Sequence, residues 1–173
     1  SGKPGSKEFR VAALPTLYKF APWATIPSTS IYMTGTLTPD GEKAWAEYCK
    51  VAVRAFMAKY SESTHRVYQI TWEPIQPWGF KGTNADLVRI YQIAYAAIHD
   101  ADPDAIVAGP CRGLYNNGDP DDTEKLLKAG LAKYMNGYAV HAYHSATPER
   151  DGMVRDIRHM KQLLRDAHGR DIP

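Results

Sequence analysis

Apolar and polar positions along the chain follow two periods that take turns. Four short stretches have the look of strands. They are Phe9-Arg10-Val11-Ala12-Ala13-Leu14, closed by Pro15; Arg66-Val67-Tyr68-Gln69-Ile70-Thr71-Trp72-Glu73, stopped by Pro74; Ala105-Ile106-Val107-Ala108, ending in Gly109-Pro110; and Tyr138-Ala139-Val140-His141-Ala142-Tyr143-His144. Each is apolar or alternating and rich in residues that suit a pleated, half-buried surface. Between them the period lengthens to that of a helix. Thr38-Pro39-Asp40 combines an N-cap hydroxyl, a proline at the first helical position and an acid in the first turn. Trp45, Tyr48, Cys49, Ala52, Phe56 and Tyr60 follow as one stripe. Thr83 with Asp86 is a variant of the capping box, and Leu87, Ile90, Tyr91, Ala94 and Ile98 form the face of a second helix. That helix ends near Asp102, because the residue before Pro103 resists helical angles. Asp119-Pro120-Asp121 starts a third helix, expected to run to about Tyr134. Thr147-Pro148-Glu149 starts a fourth, with Met153, Ile157, Met160, Leu164 and Ala167 as its stripe and Gly169 as its C-cap.

Strand and helix thus alternate four times, which predicts an α/β fold of parallel strands joined by right-handed crossovers. Two architectures satisfy this pattern, an open doubly wound sheet and part of a (β/α)8 TIM barrel. No glycine-rich phosphate turn follows any of the strands, which counts against a nucleotide-binding doubly wound sheet. The connection from Pro15 to Thr38, carrying Tyr18, Phe20, Trp23 and Tyr32, has the length of a lid or binding loop. Residues 1–9 are linker-like or tag-like, and residues 10–173 form one domain.

Composition narrows the partners. The 173 residues are 44% hydrophobic and 23% charged with a net charge of +2, the two signs interspersed, so no basic face points to nucleic acid. No apolar run has the length of a membrane span. Cys49 and Cys111 lack metal-ligand spacing, and His141 and His144 have no carboxylate partner in sequence, so neither a metal nor a cofactor is expected. The aromatic residues Tyr18, Trp23, Trp72, Trp78, Tyr115 and Tyr143 fall at strand ends or just after them. Flat rings beside polar groups suit carbohydrates, and they suit other ligands and ordinary cores as well. Glu73 stands at the last position before Pro74, with Trp72 and Trp78 nearby. Desolvation among indoles disfavours the charged carboxylate and raises its pKa toward the range of a general acid. The alternative reading has Glu73 capping the next turn or pairing with a basic residue.

Three stretches, taken in order, resemble the retaining glycoside hydrolases of the (β/α)8 clan A, and most of all glycoside hydrolase family 39. Ala21-Pro22-Trp23-Ala24 is similar to the Pro-x-Trp-Ala pattern after the family's third barrel strand. Tyr68-Gln69-Ile70-Thr71-Trp72-Glu73-Pro74 resembles the Trp-Glu-x-Trp-Asn-Glu-Pro signature of its fourth strand. That second stretch is followed by a Tyr-rich helix and a passage from Asp102-Pro103-Asp104-Ala105 to Gly109-Pro110 similar to its fifth. Val140-His141-Ala142-Tyr143 is similar to the His-x-Tyr closing its sixth.

The resemblance implies that the chain supplies about half of a barrel, strands three to six and their helices. It implies retaining hydrolysis of a polysaccharide or oligosaccharide, with Glu73 as general acid/base. His141 and Tyr143 would line the sugar site, Trp23 would form a wall of it, and Trp72 and Trp78 would flank the acid. For His141 a place satisfied within the sheet, and for Tyr143 and Trp23 a place in the core, are the alternatives. Trp72 stands where the family has an asparagine. The family's nucleophile is a glutamate at the end of the seventh strand, and retention needs two carboxyls about 5–5.5 Å apart. No acid of this chain matches that position, so the nucleophile would lie in the remaining barrel segment, in the same polypeptide or on another chain. An extracellular or periplasmic location follows from the same resemblance. The competing readings are a non-catalytic carbohydrate-binding barrel, favoured by Trp72, and a small open α/β ligand-binding domain.

Overall fold

The computed structural model describes residues 9–13, 38–71, 74, 80, 82–114, 120–142 and 152–173, without the side chains of residues 9–13, 111–114, 120, 121, 141 and 142. In chain order the elements are β1 (Phe9–Ala13), α1 (Pro39–Lys59), β2 (His65–Gln69), α2 (Asn84–Ala101), β3 (Ile106–Leu114), α3 (Pro120–Lys128), a 3-10 turn (Leu131–Tyr134), β4 (Gly137–Ala142) and α4 (Met153–His168). The strands form one four-stranded sheet in the order β1-β2-β3-β4, and every neighbouring pair is parallel.

The helix starts are encoded locally. Thr38 caps α1, its hydroxyl accepting from the Gly41 amide at 3.1 Å. At α2 the Thr83 hydroxyl accepts from the Asp86 amide at 3.2 Å while the Asp86 carboxylate accepts from the Thr83 amide at 2.7 Å, a complete capping box. The expected buried face of α2 is the observed one, with Leu87, Ile90, Tyr91, Ala94 and Ile98 all in the core. On α1 the buried stripe is Trp45, Cys49 and Val53, and Tyr48, Ala52 and Phe56 lie half-buried beside it. The Trp45 indole donates to the Ile90 carbonyl at 3.1 Å and so ties α1 to α2. Burial pushes the Cys49 thiol well above its ordinary value. These faces meet Tyr68 and Ile70 of the second strand region, Val107 of β3, Leu126 of α3 and Met160 and Leu164 of α4 in one core.

Four expectations about extent are corrected. β2 pairs only as far as Gln69, short of the predicted run to Glu73. β3 does not end at Gly109-Pro110 but continues to Leu114. Its register to β4 slips between Gly109, opposite Tyr138, and Arg112, opposite Val140, so β3 carries one extra residue there. A bulge is where a strand tolerates a proline, which has no amide hydrogen for the ladder. Cys111 therefore lies within β3 and not after it. Gly109 itself has no room for a side chain, since a Cβ there would stand 2.9 Å from the Tyr138 ring and against the Met135 sulfur. The predicted helix to Tyr134 is broken, because α3 stops at Lys128 and Gly130 takes φ 100 before the 3-10 turn. Finally, α4 begins at Met153 with Gly152 before it at φ 79, past the predicted start at Thr147, which lies outside the described residues. Its buried row is Asp156, Met160 and Leu164, whereas Ile157 is exposed. The predicted C-cap Gly169 is in place at φ 67.

At the start of β2 a charged cluster is closed off from solvent. The carboxylate of Asp102, 1% exposed, accepts from Arg66 Nε at 2.6 Å and Nη2 at 2.7 Å and from the Tyr68 hydroxyl at 3.0 Å. Arg66 also donates to the Ser63 carbonyl. The Arg66 guanidinium holds the Asp102 carboxyl below its ordinary value. Burial, reinforced by Asp102, pushes the Tyr68 phenol up. A short amide bridge joins the next crossover: Asn136 donates to the Ala105 carbonyl at 3.0 Å and accepts from the Val107 amide at 2.5 Å. The Pro173 carbonyl accepts from the Tyr138 amide at 2.8 Å, so Pro173 meets β4.

Removing one partner of a buried ion pair strands the other, at a cost of about 3–5 kcal/mol. Asp102→Asn should lower stability at pH 7 by about 3 kcal/mol, read as a lower urea midpoint. The folded-state pKa of Asp102 lies below its unfolded value, so this contribution is complete above about pH 4 and disappears as pH falls through the folded value. The midpoints of wild type and variant should converge below about pH 4.

Candidate functional site at the C-terminal edge of the sheet

In a parallel sheet all strands deliver their C-terminal ends to one edge, where side chains from several connections can meet a ligand. Every sequence-predicted site residue sits, by its place in the chain, at or after such an end. Trp23 belongs to the connection after β1, and Trp72, Glu73 and Trp78 to the one after β2. His141 is the penultimate residue of β4, paired in register with Gly113 of β3, and Tyr143 follows Ala142 directly. Trp23, Trp72, Glu73, Trp78 and Tyr143 lie outside the described residues, and for His141 the backbone alone is described.

What the structure describes is the end of β2 and the two residues after it. The last paired residue of β2 is Gln69, opposite Ala13 on one side and Ala108 on the other. Just past it two side-chain bonds are described. Gln69 Nε2 donates to the Thr71 carbonyl at 3.1 Å, and the Thr71 hydroxyl lies 2.8 Å from the hydroxyl of Tyr91 on α2. Thr71 is 2% exposed and Tyr91 fully buried. The connection returns to the protein interior at Pro74 and again at Phe80, which joins the core. The residue two before Glu73 is therefore held from both its carbonyl and its side chain.

Sequence reading placed Tyr91 on the buried face of α2 and took Thr71 as a strand residue, but did not pair them. The available signal was general: a buried tyrosine hydroxyl needs a partner. Among the described residues no group of three or more His, Cys, Asp or Glu side chains comes together to hold a metal ion. None of the described helices is long and apolar enough to cross a membrane. A groove of about 490 Å³ lies between α1 and α2, lined in part by Lys50, Arg89, Gln92 and Asp100. It runs between helices and not over strand ends, and its charges are paired, Lys50 with Asp100 at 2.8 Å and Arg89 with Glu42 at 2.6 Å.

No protein-family model matches the sequence. No curated protein matches it either. Among solved structures the chain is similar to a glucosidase from Croceicoccus marinus, with a TM-score of 0.55 and 19% sequence identity, over 79% of this chain and 28% of that one. The chain thus shares an α/β fold with part of a longer protein, spanning 28% of its length.

The Thr71–Tyr91 pair is open to a double-mutant cycle. Thr71→Val and Tyr91→Phe should each cost about 1 kcal/mol by removing the hydrogen bond between the two hydroxyls. The double variant should cost clearly less than the sum, because two apolar groups of the same shape can replace such a pair at little cost. Strictly additive urea midpoints would mean that the hydroxyls do not interact.

Proposed function

We propose that this chain is the portion carrying strands three to six of a (β/α)8 glycoside hydrolase, acting with retention on O-glycosidic bonds of a polysaccharide or oligosaccharide. The observation that carries the reading is the strand order. Four parallel strands follow one another in sequence, β1-β2-β3-β4, with all four helices contributing to one core. A barrel is built this way, whereas a doubly wound sheet reverses its order at a switch point. The bond from the Tyr138 amide of β4 to the Pro173 carbonyl supports it, since the next barrel strand would lie beside β4. The fold shared with a glucosidase supports it as well.

On this reading Glu73 is the general acid/base at the end of barrel strand four, and the nucleophilic carboxylate comes from the rest of the barrel. The nucleophile attacks the anomeric carbon while Glu73, as the carboxylic acid, gives its proton to the glycosidic oxygen, and the aglycone leaves as an alcohol. Glu73, now a carboxylate, takes a proton from water, whose oxygen attacks the anomeric carbon and releases sugar and nucleophile. Trp23, Trp72, Trp78, His141 and Tyr143 would bound the sugar: the indoles by stacking on ring faces, His141 and Tyr143 by hydrogen bonds to hydroxyls. Trp72 in the position before the acid favours one second reading, a barrel that binds carbohydrate without cleaving it.

Glu73→Gln in the full-length protein should lower turnover of glycosides with poor leaving groups by about 10²–10⁴-fold while leaving binding intact. Undiminished turnover would remove Glu73 from the mechanism, and wild-type binding without any turnover would favour the second reading. His141→Ala should weaken affinity or rate by about tenfold with an unchanged melting curve, the loss of one hydrogen bond to substrate. Unfolding instead would assign His141 to the sheet.

A further inference from the structure

We propose that the flank of α4 turned away from α3 is a docking face for one amphipathic helix with an acidic rim, the helix of the β/α unit that follows in the barrel. The inference rests on the reading of the chain as a portion of a barrel. It adds the residues that receive the neighbour and the charge the neighbour carries.

Apolar residues exposed singly need no explanation. Here they are not scattered. Among the described residues the exposed large hydrophobics are Val51 on α1, Val140 on β4, and Val154 and Ile157 on α4. They mark the first helix and the last strand and helix, whereas on α2, between them, every large apolar side chain is at least partly covered. On α4 the exposure follows a seam. Val154, Ile157, Lys161, Leu164 and His168 recur at steps of three and four residues, the spacing that aligns side chains toward a second helix. The seam runs beside the buried row of Asp156, Met160 and Leu164 and shares Leu164 with it. His159, on the opposite side of that row, lies within electrostatic reach of Glu124 on α3, so that flank already has its neighbour. On α1 a matching seam of Ala44, Tyr48, Val51, Ala55 and Ala58 lies on the side away from Ala46 and Lys50, which border α2.

The α4 flank leaves three needs unmet. Val154 and Ile157 stay in water. Farther along, a cavity of about 200 Å³ opens between Lys161, Leu164, Arg165, Asp171 and Ile172. At the end of the seam, Nε2 of His168 is buried without a hydrogen-bond partner. The side chains of a packed helix cover the first, fill the second and supply the third. The rim decides which helix. Arg158 and Lys161 are exposed with no ion pair described for either, and Arg165 beside them holds Asp171. Of the two acids on α4, Asp156 is buried and Asp166 accepts from Gln162 away from the seam. A helix with Asp or Glu along its rim is attracted to such a flank, and a basic one is repelled. That counts against a second copy of this chain, whose open α1 flank is bordered by Arg54 and Lys59 against one acid, Glu47. The following helix is the occupant that the strand order provides. A right-handed crossover leaving a strand beside β4 passes next to α4.

The test places single cysteines in the full-length protein, Val154→Cys and Ile157→Cys in the seam and Gln162→Cys on the outward face of α4, with wild type as the background. Each is titrated with a maleimide under native conditions. The seam cysteines should react at least about tenfold more slowly than Gln162→Cys. Adding Arg158→Glu, or raising the salt to about 1 M, should speed the seam thiols about threefold, because both weaken the attraction to an acidic rim. Seam thiols as reactive as Gln162→Cys overturn the docking face. Protection unmoved by salt and by Arg158→Glu overturns the acidic partner. Protection that fades on dilution assigns the face to a second copy and overturns the choice of occupant. The intact mass of the same preparation tests the underlying reading separately. A polypeptide of only 19.3 kDa has no following unit, and the barrel reading then falls and takes this proposal with it.

Discussion

Parallel strands cannot be joined by a hairpin, and that constraint shapes everything else in this protein. Each return to the sheet needs a crossover of a dozen residues or more, here always a helix. Because the strands pair in their order of synthesis and such crossovers are right-handed, the helices gather on one face and share one core. The same constraint collects the four C-terminal strand ends at one edge. Residues as far apart in sequence as Thr71 and His141 are brought to that edge by topology, with no motif linking them.

The second strand region shows how the two ends of a parallel sheet divide their tasks. At its start, Arg66, Asp102 and Tyr68 form a closed charged cluster with bidentate geometry, which is strong and specific but costly to desolvate. Past its other end, Gln69, Thr71 and Tyr91 form a neutral network. A charged anchor at that end would impose its own field on any ionisable group carried by the adjoining connection. A hydroxyl pair fixes the backbone without doing so.

The likeness to a glucosidase at 19% identity fits a fold set by burial pattern more than by particular residues. Many sequences satisfy the same alternation of strand and amphipathic helix, so that similarity speaks for architecture.

Local signals are legible in this sequence wherever a short stretch decides the outcome alone. Thr38 with Pro39, the Thr83–Asp86 box, Gly169 and the apolar face of α2 all follow from residues within one or two turns of each other. The parallel class of the sheet also follows from pattern, because three helical crossovers leave little else. Tertiary structure decided what depends on a distant neighbour. Pro110 ends no strand, because the bulge against β4 absorbs its missing donor. The buried row of α4 runs through Asp156 and not Ile157, set by how the helix seats on its neighbours and not by its own hydrophobicity. The tie between Thr71 and Tyr91 spans twenty residues and exists only once α2 lies against the strand. Sequence pattern determined which segments form elements and which way the chain returns; packing determined where strands bend, which face a helix buries and what meets the end of β2. The reason is range: caps and turns act over a few residues, whereas register, rotation and buried hydrogen bonds need partners that the fold must first bring together.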